Sequence, residues 1–287
     1  MILDGKALAL KIEDGLKAQI DEYREKCGYS PCLAVIQVGD NPASTSYVKS
    51  KKDACERIGM TFLHCKLNED ISAKELEDHI QLLNENDAVT GVILQLPLPL
   101  PLQEQFGERY FMNKIDADKD VDGFGSHSIF GLFTDKKTIV PCTPKGIMRL
   151  LEEYNIPLSG KHVVILGRST IVGKPLALMM LSKHKNATVT ICHSKTENIA
   201  SIVKQADILV AAIGQPEFVK ADWVNPNCTI IDVGINRIPD SSKKSGFRLV
   251  GDVEKAAYDK VSAYTPVPGG VGPMTVAMLL ENTLELF

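Results

Sequence analysis

The run HVVILGRSTIVGKPLALMML at residues 162–181 constrains this chain more than any other segment. An apolar stretch leads into Gly167, and Gly173 opens a second one rich in Leu and Met. Strand, glycine turn and helix in that order make the unit on which dinucleotide-binding α/β sheets are built. Glycine lets backbone approach a pyrophosphate, and the helix N-terminus attracts it. The run departs from the GxGxxG pattern in having Ser169 where the second glycine would stand. A nucleoside-triphosphate loop does not fit. Five residues rather than four separate the glycines, and Pro175 replaces the Ser or Thr that would hold Mg²⁺.

Similar alternation runs through the chain. Leu8, Ile12, Leu16 and Ile20 form one stripe of an amphipathic helix, and residues 32–38 read as a buried strand. A helix over 42–58, a strand over 61–67 and a helix from the Ser72/Glu75 capping box to about Leu83 follow. GVILQL then reads as a central parallel strand. The Pro-rich residues 97–101 and the acidic DADKDVDGFG interrupt this pattern. Thr143 and Pro144 look like an N-cap and first helical residue. ATVTIC, DILVAAIG and CTIIDVGIN, with helices from about Val172 and near Ile199, continue the second series. The expected architecture is α/β with two domains, each holding a parallel sheet. One domain covers residues 1–141 and a dinucleotide-binding domain covers 142–272. The last helix, 273–287, returns to the first.

At 287 residues the chain is long enough for two domains of roughly 100–200 residues each. Its 32 Lys plus Arg against 36 Asp plus Glu give a net charge of −4, so bulk charge supplies no attraction to nucleic acid or an anionic membrane. The longest apolar run, residues 208–213, is too short to span a bilayer. Charges from Asp4 onward break up any signal-peptide core. Seven scattered cysteines without a CxxC and six histidines without ligand spacing suggest neither a disulfide framework nor a metal site. A cytoplasmic protein is the expectation.

Candidate chemistry starts with Tyr47 and Lys51, which share a helix face at a spacing of four. A lysine desolvated in a pocket shuttles protons near neutral pH. Lys49, Lys51 and Lys52 also fit a single solvated face. The short-chain dehydrogenases carry the same YxxxK after their glycine loop, whereas here it comes before. Gln95 ends GVILQL at the carboxyl edge of a sheet, where ligands bind, or serves structure alone. Asp120 and Asp122 are placed to hold a polar ring or to cap a turn. After ATVTIC come His193, Ser194 and Lys195, with no acid for ribose hydroxyls. Arg168, Ser194 and Lys195 offer donors to a 2′-phosphate, so NADP is favoured over NAD unless these residues form only a solvated turn.

YxxxK at 47–51, QLPLPLP at 95–101, KDVDGF at 119–124, PCTPKG at 141–146, GRSTIVGKP at 167–175 and PVPGGVGPMT at 266–275 together resemble the bifunctional methylenetetrahydrofolate dehydrogenase/cyclohydrolase family over the whole chain. The resemblance implies an N-terminal catalytic domain, an NADP-binding Rossmann-type domain, a cleft between them and a homodimer. It implies that Lys51 serves the cyclohydrolase step, Tyr47 stacks on the folate, Gln95 tunes the lysine and Asp122 holds the pterin. It assigns Gly167, Arg168, Ser169, Gly173, Ser194 and Ile235 to the cofactor. Leu94, Leu96, Pro268, Gly269, Gly270, Val271, Gly272 and Thr275 fall on the substrate side. Lys195 stands where many relatives have arginine. The expected activity is NADP-dependent oxidation of 5,10-methylenetetrahydrofolate, then hydrolysis of the methenyl product to 10-formyltetrahydrofolate. The alternatives are a shikimate-type dehydrogenase of similar layout and a catalytically silent nucleotide-sensing module.

Overall fold

A computed structural model describes residues 1–243 and 246–287. The chain forms two units, Leu10–Cys142 with Val276–Phe287, and Met1–Ala9 with Thr143–Thr275. The first nine residues thus group with the glycine-loop unit rather than with the segment that follows them. Backbone bonds hold them there: Leu3 N donates to Tyr264 O at 2.8 Å and Tyr264 N to Met1 O at 3.0 Å.

Helix α1 (Gly5–Cys27) carries the Leu8, Ile12, Leu16, Ile20 stripe, buried except at Ile12, which is half-buried. Strand β1 (Cys32–Val38) is buried at every position, as a central parallel strand covered on both faces must be. Helix α2 (Pro42–Ile58), strand β2 (Thr61–Leu67), helix α3 (Ala73–Asn84) and strand β3 (Gly91–Gln95) follow. Ser72 and Glu75 form the reciprocal capping box of α3. The parallel sheet has the order β2-β1-β3, and its core includes Ile36, Leu76, Ile80, Val92 and Phe111. The stretch after β3, expected to be irregular, holds three short helices: α4 (Leu100–Gln105), α5 (Glu108–Met112) and α6 (Ser126–Phe133). Prolines that break a strand suit a first helical turn, and α4 is opened by Pro99 and Pro101.

Helix α7 (Cys142–Glu153) starts one residue before the expected cap. Thr143 lies inside it, its hydroxyl bonded to that of Thr275 at 2.9 Å. Then come β4 (His162–Leu166), α8 (Gly173–Leu181), β5 (Thr188–Cys192), α9 (Ile199–Val203), β6 (Ile208–Ala211) and β7 (Thr229–Asp232). Strands β8 (Asn236–Pro239) and β9 (Phe247–Val250) pair antiparallel, a hairpin that the strand–helix alternation did not foreshadow. Helix α10 (Lys255–Tyr258), strand β10 (Ala263–Tyr264) and helix α11 (Val271–Glu285) complete the chain. The last helix, expected from residue 273, begins two residues earlier, so Val271 and Gly272 are in the first turn of α11. The second sheet is parallel with the order β10-β7-β6-β4-β5.

Both sheets reverse direction at their first strand. β2 and β3 flank β1, and β5 and β6 flank β4. Outside the carboxyl ends at such a reversal, the diverging connections leave the crevice where ligands of open α/β sheets bind. Among the described residues, no helix is long and apolar enough to cross a membrane.

Candidate active site

At the carboxyl ends of β1 and β3, Gln37 and Gln95 are register partners. Lys51, projecting from α2, donates from Nζ to Gln95 Oε1 at 2.9 Å. Gln95 Nε2 donates to its neighbour's carbonyl, Leu96 O, at 2.8 Å, which fixes the amide with its oxygen toward the lysine. Ser44 Oγ, at the start of α2, donates to the same carbonyl at 3.2 Å and ties helix to strand end. The spacing of four puts Tyr47 on the helix face of Lys51, within reach of holding it. Among the described residues Lys51 instead reaches Gln95, and Tyr47 is 53% exposed, its ring open to a ligand.

Asp122 arrives beside this pair because residues 119–121 run along the free side of β3. Val92 N donates to Lys119 O at 2.8 Å, and Val92 bridges Asp120 in parallel. A side chain at Gly91 would collide with Val121. Asp120 is 4% exposed and accepts from the backbone N–H of Gly123, Phe124 and Gly125 and from Ser128 Oγ. It is therefore the turn-former of the two acids. Asp122 is half-buried, and Cys142 Sγ lies 3.8 Å from its Oδ1. Burial pushes the Asp122 carboxyl up to about 6, against the pull of the Lys51 charge, with Asp120 adding to the rise. Leu94 is buried within β3, and Leu96 contributes through its carbonyl.

In the other unit a cavity of about 590 Å³ opens beyond the carboxyl end of β4, lined by Gly167, Arg168, His193, Ser194, Ile213 and Gln215 among others. Gly167 has φ 113°, and a Cβ there would collide with Ala212 O; a Cβ on Gly173 would collide with Gly167 O. Both glycines are needed for the turn to close on itself. Ser169, at the place of the missing glycine, accepts from the N–H groups of Val172 and Gly173 at 3.1 and 3.3 Å. It satisfies N–H groups at the start of α8 and leaves its own proton to donate. Ile235 is not among the cavity's lining residues; it is 44% exposed and close to Gly272. Pro268 and Gly269 lie on the turn before α11, with φ 109° at Gly269, and Gly270 is buried behind them. Arg168 and Ser194 are exposed at the cavity.

Sequence reasoning missed two buried acids that support this unit. Asp252, fully buried, accepts from Ile213 N at 2.7 Å, Gly214 N at 3.0 Å and Asn236 Nδ2 at 2.9 Å. It thereby holds the cavity loop after β6 and the residue next to Ile235. Asp232 accepts from Asp252 N, Val253 N, Gly234 N and Tyr258 OH. Burial pushes its carboxyl up to about 6, more than these donors pull it down. The signal for both was DVGIN and GDV, where glycine flanks an acid. Among the described residues no group of three His, Cys, Asp or Glu is placed to hold a metal ion.

Two parallel α/β units, one with a glycine-loop dinucleotide cavity and one with a lysine–amide–carboxylate cluster, define a class: an NAD(P)-binding protein with a separate catalytic domain. The family models sharpen this. The description "Tetrahydrofolate dehydrogenase/cyclohydrolase, catalytic domain" matches residues 3–122, and the family's NAD(P)-binding domain matches 141–287. The bifunctional protein FolD of Chlorobium phaeovibrioides is 50% identical over 292 residues, covering 100% of this chain and 98% of the relative. Among solved structures, the FolD dehydrogenase/cyclohydrolase of Campylobacter jejuni superposes with TM-score 0.93 at 45% identity, covering 100% and 98% of the two chains. That of Trypanosoma brucei, complexed with NADP cofactor and inhibitor, gives 0.93 at 36%, covering 100% and 96%. The chain belongs to the tetrahydrofolate dehydrogenase/cyclohydrolase family, and its activities are those of a folate-directed dehydrogenase and cyclohydrolase. A shikimate-type dehydrogenase is set aside.

Proposed function

We propose that the chain oxidises 5,10-methylenetetrahydrofolate with NADP and hydrolyses the resulting methenyl cation to 10-formyltetrahydrofolate, with Lys51 as the acid/base of hydrolysis. The Lys51–Gln95 hydrogen bond, beside the Asp122 carboxyl at the sheet's carboxyl edge, carries this reading. NADP supplies a hydride acceptor when bound. Arg168 and Ser194 at the cavity would donate to its 2′-phosphate, and Ser169 with the Gly167–Gly173 turn would hold its pyrophosphate. The reacting CH₂ lies between two nitrogens whose lone pairs stabilise the cation left by hydride loss, so no side-chain base is required there. The protein's task in that step is orientation.

Hydrolysis needs proton movement. Water adds to the methenyl carbon, and Lys51 Nζ takes one proton as the C–O bond forms. Lys51 returns that proton to N5 as the C–N5 bond breaks, and the hydroxyl proton leaves to solvent as the formyl C=O forms. Gln95, its amide fixed by Leu96 O, holds Nζ in place between these transfers. Asp122 accepts from adjacent N–H groups of the pteridine, and the exposed Tyr47 ring stacks on the ligand. Leu94, Leu96, residues 268–272 and Thr275 complete the substrate side. Ile235 and Gly173 belong with the cofactor contacts. A homodimer and cytoplasmic residence belong to the same reading; the seven cysteines, none in a disulfide, suit a reducing compartment.

Lys51→Met tests the assignment. Hydrolysis of the methenyl substrate is expected to fall by roughly 10²–10⁴-fold, the usual worth of a positioned acid/base. Hydride transfer, followed as NADPH absorbance, persists. Near-normal hydrolysis in the variant would overturn the role.

A further inference from the structure

Of the polar residues on the mostly apolar helix α11, two are fully buried, Asn282 and Thr283. They behave differently. Thr283 donates to Leu279 O of its own helix at 2.8 Å. Asn282 Nδ2 leaves its helix, donating to Val121 O at 2.8 Å and Val140 O at 3.0 Å, and lies 3.5 Å from Cys142 Sγ. These contacts converge on Asp122. Val121 immediately precedes it, and Cys142, which touches Asp122, also lies 3.6 Å from Val121 O. The following Gly123 packs on the 139–141 backbone so closely that a Cβ would meet Val140 C at 2.8 Å. Asp120 fixes the turn on one side of Asp122, and the Asn282 amide joins the two backbone segments on the other. Without that amide, two carbonyls in a dry setting lose a donor, and the segments lose their common tether.

We propose that Asn282 is a positioning residue for the folate site: by bonding the Val121 and Val140 carbonyls together it fixes the backbone from which Asp122 meets the substrate. The proposal rests on the reading of Asp122 as a folate contact, so the experiment tests both. Kinetics are measured for Asn282→Ala, Thr283→Val and Asp122→Asn with methylenetetrahydrofolate and NADP. Asn282→Ala raises KM for the folate on the order of tenfold, while KM for NADP stays within about twofold and kcat at saturating folate is largely kept. Thr283→Val, equally buried on the same helix, lowers the melting temperature without moving either KM. Should the alanine variant not accumulate as folded protein, Asn282→Gln, which keeps the amide but shifts it by one methylene, makes the same discrimination. A folate KM raised equally by Thr283→Val would reduce Asn282 to a packing role and overturn the proposal. A raised KM in Asp122→Asn with an unchanged one in the Asn282 variant would overturn positioning alone. An unchanged KM in Asp122→Asn would remove the reading beneath it.

Discussion

Asp122 is the residue where function and stability pull apart. Its carboxyl is moved from 3.8 to about 6, chiefly by burial. Between those values the folded chain binds more protons here than the unfolded one. The group's stabilising contribution is therefore full below about pH 4 and lost as pH rises through 6. Asp122→Asn stays neutral throughout, so it is expected to be more stable than the parent at pH 8 by roughly 1–3 kcal/mol. The gap should shrink to about a third by pH 4.5 and close only below about pH 4; thermal melts across that range check it. On the proposed role of Asp122 as a folate contact, kcat/KM for methylenetetrahydrofolate should fall below about pH 6, as protonation removes an acceptor for the pteridine. Arg168 is tested by cofactor choice. Arg168→Ala removes a charge-assisted hydrogen bond to a group that only NADP carries, and NADP binding should weaken roughly ten- to a hundredfold. Titration with both cofactors checks this; equal losses for NADP and NAD would give Arg168 a general structural role instead.

At the scale of elements, the turn from β4 to α8 shows what a missing glycine costs and what it keeps. Ser169 caps the helix from within the loop, whereas Gly173 has no freedom, because a methyl there meets the Gly167 carbonyl. Gly173→Ala should open the turn and weaken NADP binding while leaving methenyl hydrolysis, for which Lys51 and Gln95 of the other unit are proposed, close to normal; paired assays decide it. This turn was legible in the sequence because strand, glycine and helix follow one another without interruption. So were β1, α2, β2 and α3, whose bounds are set by long periodic runs and a capping box. The helices α4, α5 and α6, of five to eight residues, span too few turns to show a period. The hairpin β8–β9 is set by pairing across the chain rather than by local pattern. Lys51 and Gln95 were legible one at a time; their hydrogen bond depends on the β1–β3 register, which no local signal carries. Asn282 was hidden for the opposite reason, since a polar residue within the helical run Glu281-Asn282-Thr283 reads as helix first.

Across the whole molecule, the chain passes between its two units three times, after residues 9, 142 and 275. Neither unit is one continuous stretch. A fragment of residues 1–142 would lack Ala277, Met278, Leu280 and Leu284, each at most 9% exposed, and Phe287, which meets Tyr23 and Tyr29 edge-on. Such a fragment is expected to unfold in urea without a cooperative transition, unlike the full chain; near-UV circular dichroism across the titration checks it. The strand-like segment 119–121 carries a last consequence. It covers the outer side of β3, where the largely apolar strand GVILQ would otherwise present a row of unpaired N–H and C=O groups. The segment that delivers Asp122 therefore also guards a sticky edge. Any change that loosens it exposes a template for chain-to-chain pairing, and a folate bound at Asp122 as proposed would also protect the molecule against aggregation.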